Sequence, residues 1–330
     1  MTESASNTHP FDALSPDLLL DAVESIGYHC DGRVLALNSY ENRVFQIGLE
    51  DATPIIAKFY RPERWSDAQI LEEHTFCFDA VEHELPVVPP LRDAQGTSLH
   101  HHAGFRFALY PRRGGHAPEL DNLDNLLVMG RFLGRLHNVG ALRPFVHRPT
   151  LSSQEFGHDA VATCTPFVPD DLRPAWDSLT RDLLARVDER LDAVRDVTLL
   201  RVHGDCHSGN LLWRDDAPHF IDLDDARMAP AIQDIWMLLS GDRTRQSQQL
   251  TDIIEGYREF RDFDPVELHR VEPLRTLRML HFSAWIARRW DDPAFPRAFP
   301  WFDSPRYWGD RILDLRNQLA ELNEPPLRLL

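Results

Sequence analysis

The segment "LLRVHGDCHSGNLLWRDDAPHFIDLDDAR", residues 199–227, sets carboxylates, histidines, a cysteine and an asparagine between two short apolar runs. Asp205 and Asn210 stand five residues apart in a loop, and "FIDLDD" reads as a short apolar strand that delivers Asp222 at its end. This is the set of groups that phosphoryl transfer asks for. In a loop of the form HRDxxxxN, the Asp positions the acceptor hydroxyl and the Asn holds Mg2+, while a second Asp holds metal that bridges the nucleotide phosphates. Magnesium takes hard oxygen ligands and keeps several waters, so one Asn oxygen and one carboxylate suffice. Asp205 is therefore expected to orient an acceptor hydroxyl and receive its proton late, with Asn210 and Asp222 as metal ligands.

Nucleotide phosphates also need a cation. Lys58 lies within "PIIAKFY", a strand-like apolar run, where a buried stem can carry the ammonium to a cleft. The carboxylate that orients it belongs on the next helix, "QILEEHTF", where Glu72 and Glu73 both qualify. No GxGxxG is present. The turn "NSYENR", residues 38–43, offers Ser39 and backbone amides to cover the phosphates instead. A lone loop Asp is most often solvated or capping, and a lone strand Lys most often lies at the surface. The weight rests on the chain order: strand Lys, helix Glu, D-x4-N, strand-borne Asp. Other chemistries have less support. "HGDCH" offers two His and a Cys, but a zinc site needs about four such ligands and no second Cys/His pair sits at suitable spacing. No GxSxG marks a serine hydrolase. "HHH" at 100–102 reads as an exposed hairpin loop.

These residues need elements to hold them. Residues 1–10 are polar and read as frayed. "SPDLLLDAVESIG" is a helix with Ser15 as N-cap, Pro16 in the first helical position and Gly27 past its end. "NRVFQIGL" and "PIIAKFY" are strands joined by "EDAT", and "SDAQILEEHTFCFDAVEHEL" is a helix capped by Ser66. "TSLHHHAGFRFALYPRRGG" reads as two more strands. Beyond it the character turns helical: "NLDNLLVMGRFLGRLHNVG", with Leu126, Leu133 and Leu136 in one stripe, then "PAWDSLTRDLLARVDERLDAVRD", "AIQDIWMLLSG", "SQQLTDIIEGYREF" and "VEPLRTLRMLHFSAWIARRW". The tail is rich in Pro and aromatics and ends in a short helix. The expected organisation is α+β: an antiparallel-sheet lobe over residues 1–112 that covers a nucleotide, and a mainly helical lobe over 113–330 that carries the catalytic loop and metal site. Two lobes joined by one crossover would leave a cleft.

Composition bounds the partners. The 330 residues suffice for a sizeable core, and the formal net charge of −17 disfavours non-specific binding to nucleic acid or anionic membranes. No apolar run approaches the ~18 residues of a membrane span. The N-terminus lacks the basic and apolar regions of a signal peptide. Cys30, Cys77, Cys164 and Cys206 are widely spaced and read as reduced thiols, so the cytoplasm is the expected compartment.

"HGDCHSGN" followed by "FIDLDDA" resembles the aminoglycoside-phosphotransferase-like kinases, whose loop reads HGDxHxxN. "LNSYENRVFQ", "KFYRPERWSDAQILEEH", "VHGDCHSGNLLWRD", "FIDLDDARMAPAIQDIWMLLSGD" and "RRWDDPAFPRAFPW" extend the likeness across nearly the whole chain, to bacterial stress-response serine/threonine protein kinases on that two-lobed, protein-kinase-like fold. The resemblance implies a monomeric kinase that uses ATP and Mg2+ and phosphorylates Ser or Thr in proteins. It gives Asp205 as catalytic base, Asn210 and Asp222 as Mg2+ ligands with Asp222 also counted as catalytic, Lys58 as the ATP lysine and Ser39 as part of the ATP-covering loop. Asp234 falls where a buried Asp braces the catalytic loop, and Tyr110 and Pro111 fall where a hinge meets adenine. Only a few residues separate Asp222 from the helix that begins near Ala231, and no APE-like motif follows. Control by a phosphorylated activation segment is therefore not expected. The geometry suits small hydroxylated acceptors (amino alcohols, sugars, aminoglycosides) as well as peptides.

Overall fold

The computed structural model describes residues 11–330, so the frayed segment expected at 1–10 lies outside the described residues. The chain divides into two compact units. One runs to His116 and takes in His219–Asp224; the other comprises Ala117–Pro218 and Asp225–Leu330.

In the first unit, helix α1 (Pro16–Glu24) starts where Ser15 accepts a hydrogen bond from the amide of Leu18. Strands β1 (Cys30–Ala36), β2 (Arg43–Leu49) and β3 (Ala52–Phe59) follow, then helix α2 (Asp67–Glu82), β4 (His100–His102) and β5 (Phe105–Pro111). Ser66 and Gln69 close a capping box at the start of α2. The five strands form one antiparallel sheet in the order β1-β2-β3-β5-β4, which puts β3 in the middle. Alternation along β3 then decides what each side chain does. Ile55, Ala57 and Phe59 point to one face and join Leu19, Val23 and Phe107 in a buried core with α1. Tyr60, on the opposite face, clusters with Ile70 of α2 and Ala108 of β5. The same alternation places Lys58 on that second face.

"HHH" is not an exposed loop. It is the edge strand β4, with His100 buried against the Phe107 ring at 5.4 Å and His101 paired to Asp67 at 3.0 Å. An alternating edge strand buries every second side chain, and three identical residues hide that alternation in the sequence.

The second unit is mainly helical: α3 (Leu123–Gly140), α4 (Asp159–Cys164) and α5 (Arg173–Ala193), then strands β6 (Leu200–Val202) and β7 (Leu211–Arg214). Strand β8 (Ala217–Phe220) carries the chain into the 219–224 segment. Strand β9 (Arg227–Ala229) pairs antiparallel with β6, and α6 (Ile232–Trp236), α7 (Arg243–Arg258), α8 (Val271–Ala287), α9 (Ala294–Ala298) and α10 (Pro305–Asn323) complete it. The Pro- and aromatic-rich tail is core. Phe295, Phe302 and Trp308 are buried with Trp176 of α5 and Leu277 and Leu280 of α8. Its last helix is not short: α10 runs 19 residues from a Ser304 N-cap with Pro305 in the first turn.

Helices α3 and α7 approach closely because glycines leave room. A Cβ at Gly130 would overlap the Ile253 carbonyl oxygen, one at Gly256 would overlap that of Leu127, and one at Gly134 would lie 2.7 Å from the Tyr257 oxygen. Glycine to alanine inside a helix ordinarily gains about 1 kcal/mol. Gly130→Ala is expected to lose about 2 kcal/mol instead, because backbone cannot yield as a side chain can. Urea unfolding with an unchanged m-value checks this.

Candidate active site

In the first unit the site is built around Lys58. It is the only lysine in the chain; every other side-chain cation is Arg or His. The residue is 5% exposed. Its Nζ lies 3.0 Å from Asp222 Oδ1, 3.2 Å from Asp224 Oδ1 and 3.6 Å from Glu73 Oε1. Burial pushes the ammonium toward neutrality, but the three carboxylates, Asp222 foremost, outweigh it and hold the pKa well above the ordinary lysine value. Glu73 is therefore the α2 carboxylate that meets Lys58. It sits on the buried face with Ile70, His74 and Cys77, while Glu72 lies off that face.

Asp224 is also buried. Its Oδ2 accepts from Asn42 Nδ2 at 3.2 Å and from Arg64 at short range. Asn42 in turn accepts from the Arg61 amide at 3.1 Å, and its carbonyl accepts from the Ser39 hydroxyl at 3.1 Å. Ser39 thus folds the 38–43 turn that leads, through Asn42, to Asp224. Tyr110 faces the same side of the sheet as Lys58. Its hydroxyl lies 3.0 Å from that of Tyr60, which is 2.8 Å from His74 Nε2; His74 Nδ1 meets Ser98 at 2.9 Å. Burial, with Glu73 nearby, pushes both tyrosines well up, so they stay neutral. Asp222 follows β8 with φ 55°, a left-handed conformation that costs a non-glycine residue about 1 kcal/mol. Its side chain is 52% exposed beside Lys58.

In the second unit Asp205 lies in the loop after β6, and the loop is held by Asp234 of α6. Asp234 is fully buried. Its two oxygens accept from the backbone amides of His203 and Gly204, each at 2.8 Å, and Oδ2 also lies 3.1 Å from His137 Nε2. Gln233 donates to the Gly204 carbonyl at 3.0 Å. Gly204 has φ +83°, and a Cβ there would overlap the Asp225 carbonyl. The Asp205 carboxylate meets Arg278 of α8 at 2.6 Å and His207 Nε2 at 3.4 Å. Burial raises its pKa, but the His207 hydrogen bond and the Arg278 charge prevail, and Asp205 titrates below the usual carboxylate range. Cys206 is buried and its thiol is pushed well up, so it is no nucleophile.

Asn210 donates through Nδ2 to the Asp205 carbonyl at 3.0 Å, and this leaves its Oδ1 with no donor among the described residues. Asp222 likewise keeps Oδ2 unpaired among them. Each is a hard oxygen, of the kind that a divalent cation takes along with water and phosphate oxygens. No group of three or more His, Cys, Asp or Glu among the described residues could cage a metal.

Lys58, Glu73 and Asp222 are thus brought together in one unit, and Asp205 and Asn210 in the other. The sequence reading missed Asn42, Arg64, Asp224 and Arg278. Asp224 and Arg64 lie inside quoted segments, "FIDLDD" and "KFYRPERW", but nothing in their spacing announces a contact between residues 160 apart.

A sheet-bearing unit with a buried, carboxylate-ringed lysine, and a helical unit with an oriented carboxylate, define a phosphotransferase. The chain belongs to the phosphotransferase enzyme family, whose model matches residues 33–274. It is 46% identical over 321 residues, 97% of each chain, to stress response kinase A of Escherichia coli O157:H7. It is 45% identical over 325 residues, 98% of each chain, to the serine/threonine protein kinase RdoA of Salmonella typhimurium. Among solved structures, an amicoumacin kinase in complex with AMP-PNP, Ca2+ and Ami shares the fold at TM-score 0.72 and 18% identity over 94% of each chain. A microcompartment-associated aminopropanol kinase does so at TM-score 0.70 and 17% identity, over 96% of this chain and all of its own. The enzyme is a kinase on the α+β fold expected from the sequence. No helix among the described residues is long and apolar enough to cross a membrane.

Asp234→Asn is expected to cost about 3 kcal/mol, because the amide nitrogen meets a backbone N–H where an oxygen accepted one. A lowered urea midpoint checks it; an unchanged midpoint would show that the loop carrying Asp205 does not depend on this residue.

Proposed function

We propose that the enzyme transfers the γ-phosphoryl group of Mg2+-bound ATP to the hydroxyl of Ser or Thr in a protein. The observation that carries the reading is Asp205: a carboxylate kept ionised on a loop whose backbone is gripped by a buried Asp. Such a group is too weak a base to strip an alcohol early. It fixes the hydroxyl by accepting its hydrogen bond and takes the proton late, as the oxygen–phosphorus bond forms and the bond to departing ADP breaks. Lys58, held charged, faces the nucleotide phosphates, and Glu73 fixes its direction. The 38–43 turn with Ser39 covers the phosphates, and Tyr110 belongs to the adenine end of the sheet. Asn210 and Asp222 would hold Mg2+, which supplies charge neutralisation at the phosphates.

In this reading residues 1–112 cover the nucleotide and 113–330 carry the acceptor chemistry. The enzyme acts as a monomer in the cytoplasm, in keeping with its four free cysteines. A protein acceptor is favoured by relatives named as stress response and serine/threonine protein kinases at 45–46% identity over nearly the whole chain. The short path from Asp222 to α6, with no room for an activation segment, favours a second reading: a small hydroxylated acceptor. Incubation with γ-labelled ATP and Mg2+, with either a generic protein acceptor or a panel of small alcohols, separates them. Label on Ser or Thr that falls about 10³-fold in Asp205→Ala supports the first. Transfer confined to small alcohols supports the second, and full activity in the variant would refute the role of Asp205.

A further inference from the structure

The Asp205 carboxylate is met by an arginine that the phosphoryl chemistry does not call for. Arg278 lies on α8, just past the segment matched by the family model. One terminal nitrogen reaches Asp205 Oδ1 at 2.6 Å, and its side chain is 35% exposed. A guanidinium carries five N–H donors in a planar fork. The remaining donors of Arg278 have no partner among the described residues, so a charged edge is left free beside the carboxylate that would hold the acceptor. By contrast Arg227, close by, is spent on Asp225 at 3.0 Å. Burial first, and then Arg227, Arg288 and Arg278 against the opposing charge of Asp225, push the neighbouring His281 down to about 3.

The same face of α8 continues as an aromatic stripe. Positions 278, 282 and 285 fall on one side of the helix, and Arg289, past its end, lies over the Trp285 ring at 5.7 Å. Phe282 is 40% exposed and stacks on Trp285 at 6.0 Å; Trp285 meets Phe299 at 5.5 Å, and Phe299 meets Trp301, itself 41% exposed, at 5.8 Å. From Arg278 to Trp285 the helix rises about 10 Å, the span of about three residues of extended chain. A free cation at the acceptor carboxylate, followed by an apolar stripe whose Phe282 and Trp301 stay exposed while Trp285 and Phe299 rest on the core, is a surface longer than a small metabolite needs.

We propose that Arg278 and the Phe282–Trp285 stripe select the acceptor. The free edge of Arg278 takes a carboxylate side chain next to the target Ser or Thr, and the stripe takes an apolar residue about three positions away. This rests on the protein-kinase reading and names its substrate class: acidic Ser/Thr peptides. Before an acceptor binds, Arg278 neutralises Asp205; the acceptor's own carboxylate then shares the guanidinium and leaves Asp205 to the hydroxyl.

The test is steady-state phosphorylation, by the full chain with Mg2+ and ATP, of three peptides that differ only in whether Asp, Ala or Lys flanks a single Ser. Wild type is expected to favour the Asp peptide over the Ala peptide by about tenfold in kcat/KM, mostly through KM. Arg278→Gln should level the two, and Arg278→Glu should shift the preference to the Lys peptide. Equal use of the three peptides by wild type overturns the inference, as does a loss of kcat in Arg278→Gln that is the same for all peptides with KM unchanged. The latter would make Arg278 a support for Asp205 alone. Asp205-dependent transfer to small alcohols with none to any peptide overturns the protein-kinase reading, and this inference with it.

Discussion

A single ammonium organises the first unit. A lysine in the middle strand of a sheet, almost wholly removed from water, is tolerated only if its charge is matched, because an unpaired buried ion costs several kcal/mol. The match comes from two places far apart in the chain: Glu73 on the next helix, and Asp222 and Asp224, which the chain delivers after leaving this unit for about a hundred residues. Backbone bonds fix the returning segment, with Phe220 donating to Pro86 at 2.9 Å and accepting from Val88 at 3.0 Å. The ion cluster therefore both closes the fold and sets the charge that a nucleotide would meet. Three carboxylates around Lys58 and Arg64 leave an excess of negative charge, the condition under which a divalent cation is welcome.

The second unit solves the opposite problem with the same means. There a buried carboxylate, Asp234, is matched mainly by backbone N–H groups and a histidine, and the product is a loop that cannot wander. Asp205, carried on that loop, stays ionised because His207 and Arg278 offset its burial. One unit holds a charged cation, Lys58, and the other a charged anion, Asp205; in the proposed reaction these would meet phosphates and a hydroxyl. Neither group has to change protonation to be ready, which suits a reaction driven by positioning and electrostatics.

Much of this was readable before any coordinate. Helix starts at Ser15 and Ser66 carry capping chemistry in their side chains, and β3 declared itself by an apolar run ended at Pro62. Lys58, Asp205, Asn210 and Asp222 stood out because their order along the chain is itself a signal. The choice between Glu72 and Glu73 was not legible from charge, but the stripe Ile70–Glu73–His74–Cys77 settles it by helical geometry. The length of α10 was missed although its Ser304 N-cap and following Pro305 repeat the start signal of Ser15 and Pro16; the Pro- and aromatic-rich segment just before it drew the reading toward a loop. Asn42, Arg64, Asp224 and Arg278 escaped because the contacts that bring them to the site span 73 to 182 positions. The solitary lysine was open to view as a count and points to the same residue as the motif.

That count makes the central claim directly measurable. In protein grown with 13Cε-labelled lysine, the only lysine signal comes from Lys58. Titration with Mg2+ and a non-hydrolysable ATP analogue is predicted to move that signal saturably, and to do so equally in Asp205→Asn, which keeps the donor site and loses the acceptor's. A lysine signal unmoved at saturating nucleotide would contradict the account, since the buried cation around which the first unit is built would then not face the phosphates.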